Sequence, residues 1–212
     1  MNTVESLGQH TFMALELLAT AAFALSGVLG AMRKRLDIVG VCVCGCLAAF
    51  GGGTLRDLLI DRRPFFWVEH QLVLMGVLLL CMVSVRVLKQ RHVEWTHRSL
   101  QLPDAVGLGL FSATGVHLSW MSGQPALVAI LMGTITGAFG GVLRDLVCNE
   151  IPALFRDHRP YAVCAFAGGG SYALMILLGQ PETTALAACA VVTTGLRCLA
   201  LWKDWRLPAP TP

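Results

Sequence analysis

Seven stretches of this chain are apolar for long enough to cross a lipid bilayer, and few folds accommodate that. A spanning helix needs about 20 mostly apolar residues. Such runs lie at Thr11–Met32, Ile38–Ile60, Gln71–Leu88, Ala105–Met121, Pro125–Cys148, Tyr161–Leu178 and Thr183–Trp202. They are continuous, whereas a transmembrane barrel shows alternating strands of about ten residues. Composition points the same way: 55% of the 212 residues are apolar and 14% are charged, against about 45–50% and 25% in soluble domains. Disorder needs the opposite balance. A net charge of +3, without a domain-wide basic patch, argues against nucleic acid as a partner. The expected fold class is an all-α integral membrane protein, one domain over residues 1–212 with the lipid bilayer as its surroundings.

The first 32 residues contain Glu5, His10 and Glu16 but no Lys or Arg. A secretory signal has a basic region before its apolar stretch, so a retained first span is expected. Basic residues bias loops toward the cytoplasm. Arg33, Lys34 and Arg35 follow the first span; Arg86, Lys89, Arg91 and Arg98 lie between the third and fourth; Arg156 and Arg159 lie between the fifth and sixth; Lys203 and Arg206 follow the seventh. The opposite side has only Arg62 and Arg63. The expected topology is multi-pass, N-terminus outside and C-terminus cytoplasmic.

The eight cysteines sit in or beside apolar runs, none in a C-x-x-C pair. They read as small, reduced, buried side chains, with no metal site expected. No nucleophile and base stand at a recognisable spacing, so neither enzyme activity nor a cofactor is expected.

An internal repeat carries the most information. A shift of 88 positions aligns Glu16–Pro64 with Asp104–Pro152 without a gap. The identities include Phe23/Phe111, Gly27/Gly115, Gly45/Gly133, Gly52/Gly140, Gly53/Gly141, Arg56/Arg144, Asp57/Asp145 and Pro64/Pro152. Each copy holds three spans, and an odd number inverts the second copy in the membrane. The expected organisation is a first three-helix repeat over residues 11–88, a second, inverted one over 102–178, and a seventh helix over 183–205. Such 3+3 inverted repeats are a common construction of transporters.

Gly51, Gly52 and Gly53 interrupt the second span, and Gly140 and Gly141 the fifth. Glycine loosens a helix, so both spans are expected to break there and to enclose a polar cavity between them. Close packing is the other reading, because Gly133, Gly137 and Gly141, like Gly45, Ala49 and Gly53, follow the small-xxx-small pattern. On the cavity reading, leucine at Gly52 or Gly140 suppresses flux while the protein stays in the membrane. The clusters lack the Lys of a phosphate loop.

Glu16, Arg56, Asp57, Asp104, Arg144 and Asp145 lie in or at the ends of spans, with Arg197 a further candidate. A charge near the bilayer centre costs at least about 2.5–3.5 kcal/mol, so these residues either clamp helices as ion pairs or line a solute path. Depth suggests partners. Glu16 and Arg56 fall in the outer half, Asp104 and Arg144 in the inner half, giving Arg56–Glu16 and Arg144–Asp104. The competing arrangement crosses the pseudo-two-fold axis, Arg56 with Asp145 and Arg144 with Asp57. If the same-depth pairs hold, exchanging the charges of Arg56 and Glu16 restores part of the protein that either truncation loses. His117 reads as an interfacial hydrogen-bonder.

F-A-L-S-G-V from Phe23, R-K-R-L-D at Arg33–Asp37, G-G-G-T-L-R-D-L-L from Gly51 and P-F-F-W from Pro64 resemble the bacterial glycine transporter domain, which is related to the trimeric intracellular cation (TRIC) channels. The second copy departs from the motif where Phe139 replaces the first glycine. The resemblance implies a homotrimer conducting monovalent cations, mainly potassium, with one pore per protomer between kinked second and fifth spans. Some relatives are described instead as glycine uptake proteins. The expected function is thus a potassium channel, with a glycine uptake transporter as the alternative and a non-transporting scaffold as the second alternative.

Overall fold

The computed structural model describes residues 3–87, 97–156 and 159–208. Lys89 and Arg91, which count toward the expected topology, lie outside the described residues, as do Leu88 and the side chains of Arg98 and Arg156. Within the described residues every regular element is a helix: α1 (Thr3–Arg33), α2 (Ile38–Leu59), α3 (Phe66–Glu69), α4 (Gln71–Val87), α5 (His97–Met121), α6 (Ala126–Val147), α7 (Ala153–Arg156), α8 (Ala162–Leu177) and α9 (Glu182–Trp202). The protein is an all-helical membrane protein. Among the described residues, four helices are long and apolar enough to cross a membrane: Gly8–Arg33 of α1, α2, α6 and α9. The apolar helices α4 and α8 are shorter. Helix α5 starts earlier than its apolar run, at His97, and carries Pro103 inside it.

Four helices form the centre, with α1 against α2, α5 against α6, α1 against α5 and α2 against α6. Helix α4 flanks α1 and α2; α8 and α9 flank α5 and α6. Outward side chains are strongly apolar, with Leu72 83%, Leu177 75% and Val191 69% exposed. An apolar surface of this extent belongs against lipid or protein.

The packing repeats at the same offset of 88 residues as the sequence. A Cβ on Gly27 would meet Cys44, Gly45 and Ala48, and one on Gly115 would meet Gly133 and Thr136. Gly52 lies against the backbone of Thr136, and Gly140 against the backbone of Ala48. Each glycine therefore touches the counterpart of the residue that its own counterpart touches. Phe23 stacks on its own counterpart, Phe111, at 5.6 Å between ring centroids.

The helix ends repeat too. Asp61 and Asn149 adopt left-handed conformations, φ 54° and 53°, just past α2 and α6. The next amides, Arg62 and Glu150, bond back to Asp57 and Asp145 carbonyls at 2.7 and 2.9 Å. Arg35 (φ 56°) and Gly123 (φ 76°) close α1 and α5 the same way. These are Schellman stops, which satisfy carbonyls a helix end would leave orphaned.

Candidate functional site: two buried arginine clusters and a glycine seam

Both arginines of the repeat are interior. Arg56 is completely buried, and its guanidinium makes a fork to Glu16, Nη2–Oε1 2.9 Å and Nη1–Oε2 3.3 Å. Its Nε donates to Asp57 Oδ1 at 2.9 Å. Arg144, 3% exposed, donates from Nη1 to Asp104 Oδ1 at 2.5 Å and from Nε to Asp145 Oδ1 at 2.8 Å. The same Nη1 donates to the Ser26 hydroxyl. Each arginine thus joins an acid 40 residues earlier to the acid that follows it. These are the same-depth pairs; the across-axis arrangement is absent, because each guanidinium takes both of its carboxylates from its own half. The two-carboxylate arrangement argues against the expected charge-exchange rescue, since a glutamate at position 56 would adjoin Asp57.

The second carboxylates do more than balance charge. Asp57 Oδ2 accepts the amide of Phe66 at 3.4 Å, and Asp145 Oδ2 accepts the amide of Ala153 at 2.8 Å. Phe66 and Ala153 open α3 and α7. Each aspartate therefore anchors a short helix after the repeat's proline, Pro64 or Pro152. The motif's fixed spacing from Asp to Pro follows from this: the chain must turn back to meet the carboxylate. The hydrogen-bonded short helices and the role of Ser26 lie beyond the sequence reading. The only signal was the Ser26/Thr114 match, and Thr114 instead bonds within its helix to Phe111.

The remaining polar candidates are placed separately. Arg197 is buried, with its guanidinium over the Tyr161 ring at 4.7 Å and Nη1 donating to the Pro160 carbonyl at 3.1 Å. His117 Nδ1 lies 2.8 Å from the Tyr172 hydroxyl. Outside the spans, hydrogen bonds from Arg159 and Arg206 hold the Asp204 carboxyl below its ordinary range.

The glycine expectation is corrected. Helices α2 and α6 run without interruption through Gly51–Gly53 and Gly140–Gly141. The glycines permit close approach instead: a Cβ at Gly52 would strike the Thr136 carbonyl, and one at Gly140 the Ala48 carbonyl. Gly51 makes room for the Leu143 side chain. Gly53 faces the Arg56–Glu16 pair, and Gly141 faces Asp104 and Tyr161. A cleft of about 460 Å³ does lie at this seam, but it is apolar, lined by residues such as Cys46, Phe50, Trp67, Phe139 and Leu143. Its indole N–H is satisfied by Thr54 Oγ1 at 3.2 Å. The cavity is not polar because the charges are satisfied inside each half and leave carbon facing the seam. At one end of the seam Lys34 reaches Glu150 at 2.7 Å, tying the α1–α2 loop to the end of α6.

The family described as "Glycine transporter" matches residues 13–89 and again 101–177. The UPF0126 inner membrane protein YadS of Escherichia coli K12 is 36% identical over 93% of this chain and 94% of its own length. A UPF0126 membrane protein of Vibrio cholerae is 34% identical over 93% and 81%. Among solved structures, the TRIC trimeric intracellular cation channel orthologue of Rhodobacter sphaeroides superposes with a TM-score of 0.83 at 32% identity, covering 92% of this chain and 98% of that one. A second structure, described for conductance through TRIC cation channels, gives 0.84 at 30% identity, with 95% and 98% covered.

Proposed function

The chain belongs to the glycine transporter (UPF0126) family, and from that membership we propose that it is a membrane channel for small monovalent cations, potassium foremost. The observation that carries this reading is the fold, shared over nearly the whole of both chains with proteins described as cation channels. We read it as a homotrimer, in keeping with the trimeric name of the Rhodobacter neighbour. The seven apolar runs are its spans, arranged as two inverted halves and a seventh helix, a reading supported by the reciprocal contacts at the 88-residue offset. The N-terminus lies outside and the C-terminus in the cytoplasm, on the strength of the basic loops.

The path follows the α2–α6 seam of each protomer. At the crossing of Gly52 and Gly140 the helices touch through backbone, so the conformation described here is closed. No side chains interlock at those two glycines, which lets the helices part there. A second reading, glycine uptake, rests on the family's description.

Reconstitution into potassium-loaded liposomes separates the readings. The expected result is potassium efflux that glycine neither requires nor competes with. Saturable glycine uptake without potassium flux would move the assignment to the transporter, and silence for both would leave a scaffold clamped by its arginines.

A further inference from the structure

The thiols of Cys44 and Cys148 meet in the interior, their Sγ atoms 3.7 Å apart. The two residues are 104 positions apart in sequence. They come from α2 and from the cap of α6, the two helices of the glycine seam. Cys44 Sγ also lies 3.9 Å from the Arg144 carbonyl, and the Cys148 sulfur lies beside Gly30 of α1. Packing alone does not call for sulfur on both sides. The 88-residue offset places Met132 opposite Cys44 and Ile60 opposite Cys148, so the other half fills the equivalent positions without a thiol. All eight cysteines are free.

We propose that Cys44 and Cys148 form an oxidisable dithiol whose disulfide staples α2 to the end of α6. The oxidant is a small hydroperoxide. Cys44 is fully buried and Cys148 is 7% exposed, which admits hydrogen peroxide and shuts out a protein disulfide. The Cys148 sulfur attacks the O–O bond, giving its sulfenic acid and one water. The Cys44 sulfur then attacks that sulfenic sulfur; the S–O bond breaks, and hydroxide leaves with the Cys44 proton as a second water. Two thiols and one peroxide become one disulfide and two waters, with two electrons passing from sulfur to oxygen. The sulfurs close from 3.7 Å to about 2.05 Å, within reach of small side-chain and helix shifts. In the topology given above the pair lies in the cytoplasmic half, where thiols are held reduced, so the staple forms under oxidative stress and is reversed afterwards. Its effect on conduction rests on the channel reading: a stapled seam cannot part.

The test uses the full chain in liposomes, treated with hydrogen peroxide, alkylated and digested for mass spectrometry. A Cys44–Cys148 linked peptide is expected in the wild type, lost on reduction by dithiothreitol and absent in Cys148→Ala. Potassium flux should fall several-fold on oxidation, recover on reduction, and stay unchanged by peroxide in Cys148→Ala. The wild-type oxidation and reduction cycle stands without any variant. Unlinked sulfinic products at these positions would overturn the proposal, as would links confined to Cys42, Cys46 and Cys81. A link that leaves flux unchanged would overturn the lock. A link in a protein with no flux even when reduced supports the dithiol and overturns the channel reading, so the two failures are distinguishable.

Discussion

Alanine at Arg56 or Arg144 should remove most of the folded protein from the membrane. Each guanidinium holds two carboxylates, Glu16 and Asp57 or Asp104 and Asp145, at sites that are at most 7% exposed. Removing one partner of a buried pair costs about 3–5 kcal/mol, because the charge left behind has neither water nor a counter-ion. Here two acids lose their main partner at once, with only Arg62 left 3.9 Å from Asp57, and the anchors of α3 and α7 are disturbed with them. Glu16→Ala should be milder than Arg56→Ala, since Arg56 keeps Asp57. Combining Arg56→Glu with Glu16→Arg should give no rescue, because Asp57 would then face a like charge. Arg206→Ala, at a side chain 69% exposed, should change little, in line with the small worth of surface pairs. Monodispersity and thermal melting in detergent read each case.

Alanine at Gly52 or Gly140 should also destabilise the fold, through the seam. The added methyl would overlap a backbone carbonyl of the opposite helix, Thr136 or Ala48, and a carbonyl in a helix cannot turn aside as a side chain does. Overpacking of this kind costs about 1–3 kcal/mol. Leucine should be worse, so it is expected to remove the protein and not merely to silence flux, which corrects the expectation drawn from a glycine break. Alanine at Gly170 meets nothing within 4 Å and should be neutral or stabilising by up to about 1 kcal/mol of helix propensity. Equal melting temperatures for Gly52→Ala, Gly140→Ala and Gly170→Ala would show that the seam is looser than described.

Apolar length and the 88-residue repeat made the helical membrane fold readable, because both are properties of linear sequence. Arg56 and Arg144 could be paired with Glu16 and Asp104 because depth in a membrane limits the choice of acid to the arginine's own half; that each also binds the aspartate beside it was not legible from the one-residue spacing. The glycines misled for a physical reason: the same missing side chain that allows a helix to bend also allows two helices to touch, and spacing alone does not separate the outcomes. At Gly52 and Gly140 the contact won. The helices α3 and α7 are four residues each, too short for periodicity to register. Asp61 and Asn149 hid as helix stops because the repeat matches their conformation and not their identity. Ser26 and the meeting of Cys44 with Cys148 depend on how distant helices pack, which no local pattern reports.

The most direct test of the channel assignment is the reversal potential of the purified protein in a planar bilayer under a potassium chloride gradient. A monovalent-cation channel shifts that potential toward the equilibrium value for potassium, with current that persists when glycine is absent. A bilayer that stays silent with trimeric, folded protein present, or a reversal potential displaced toward chloride, would contradict it.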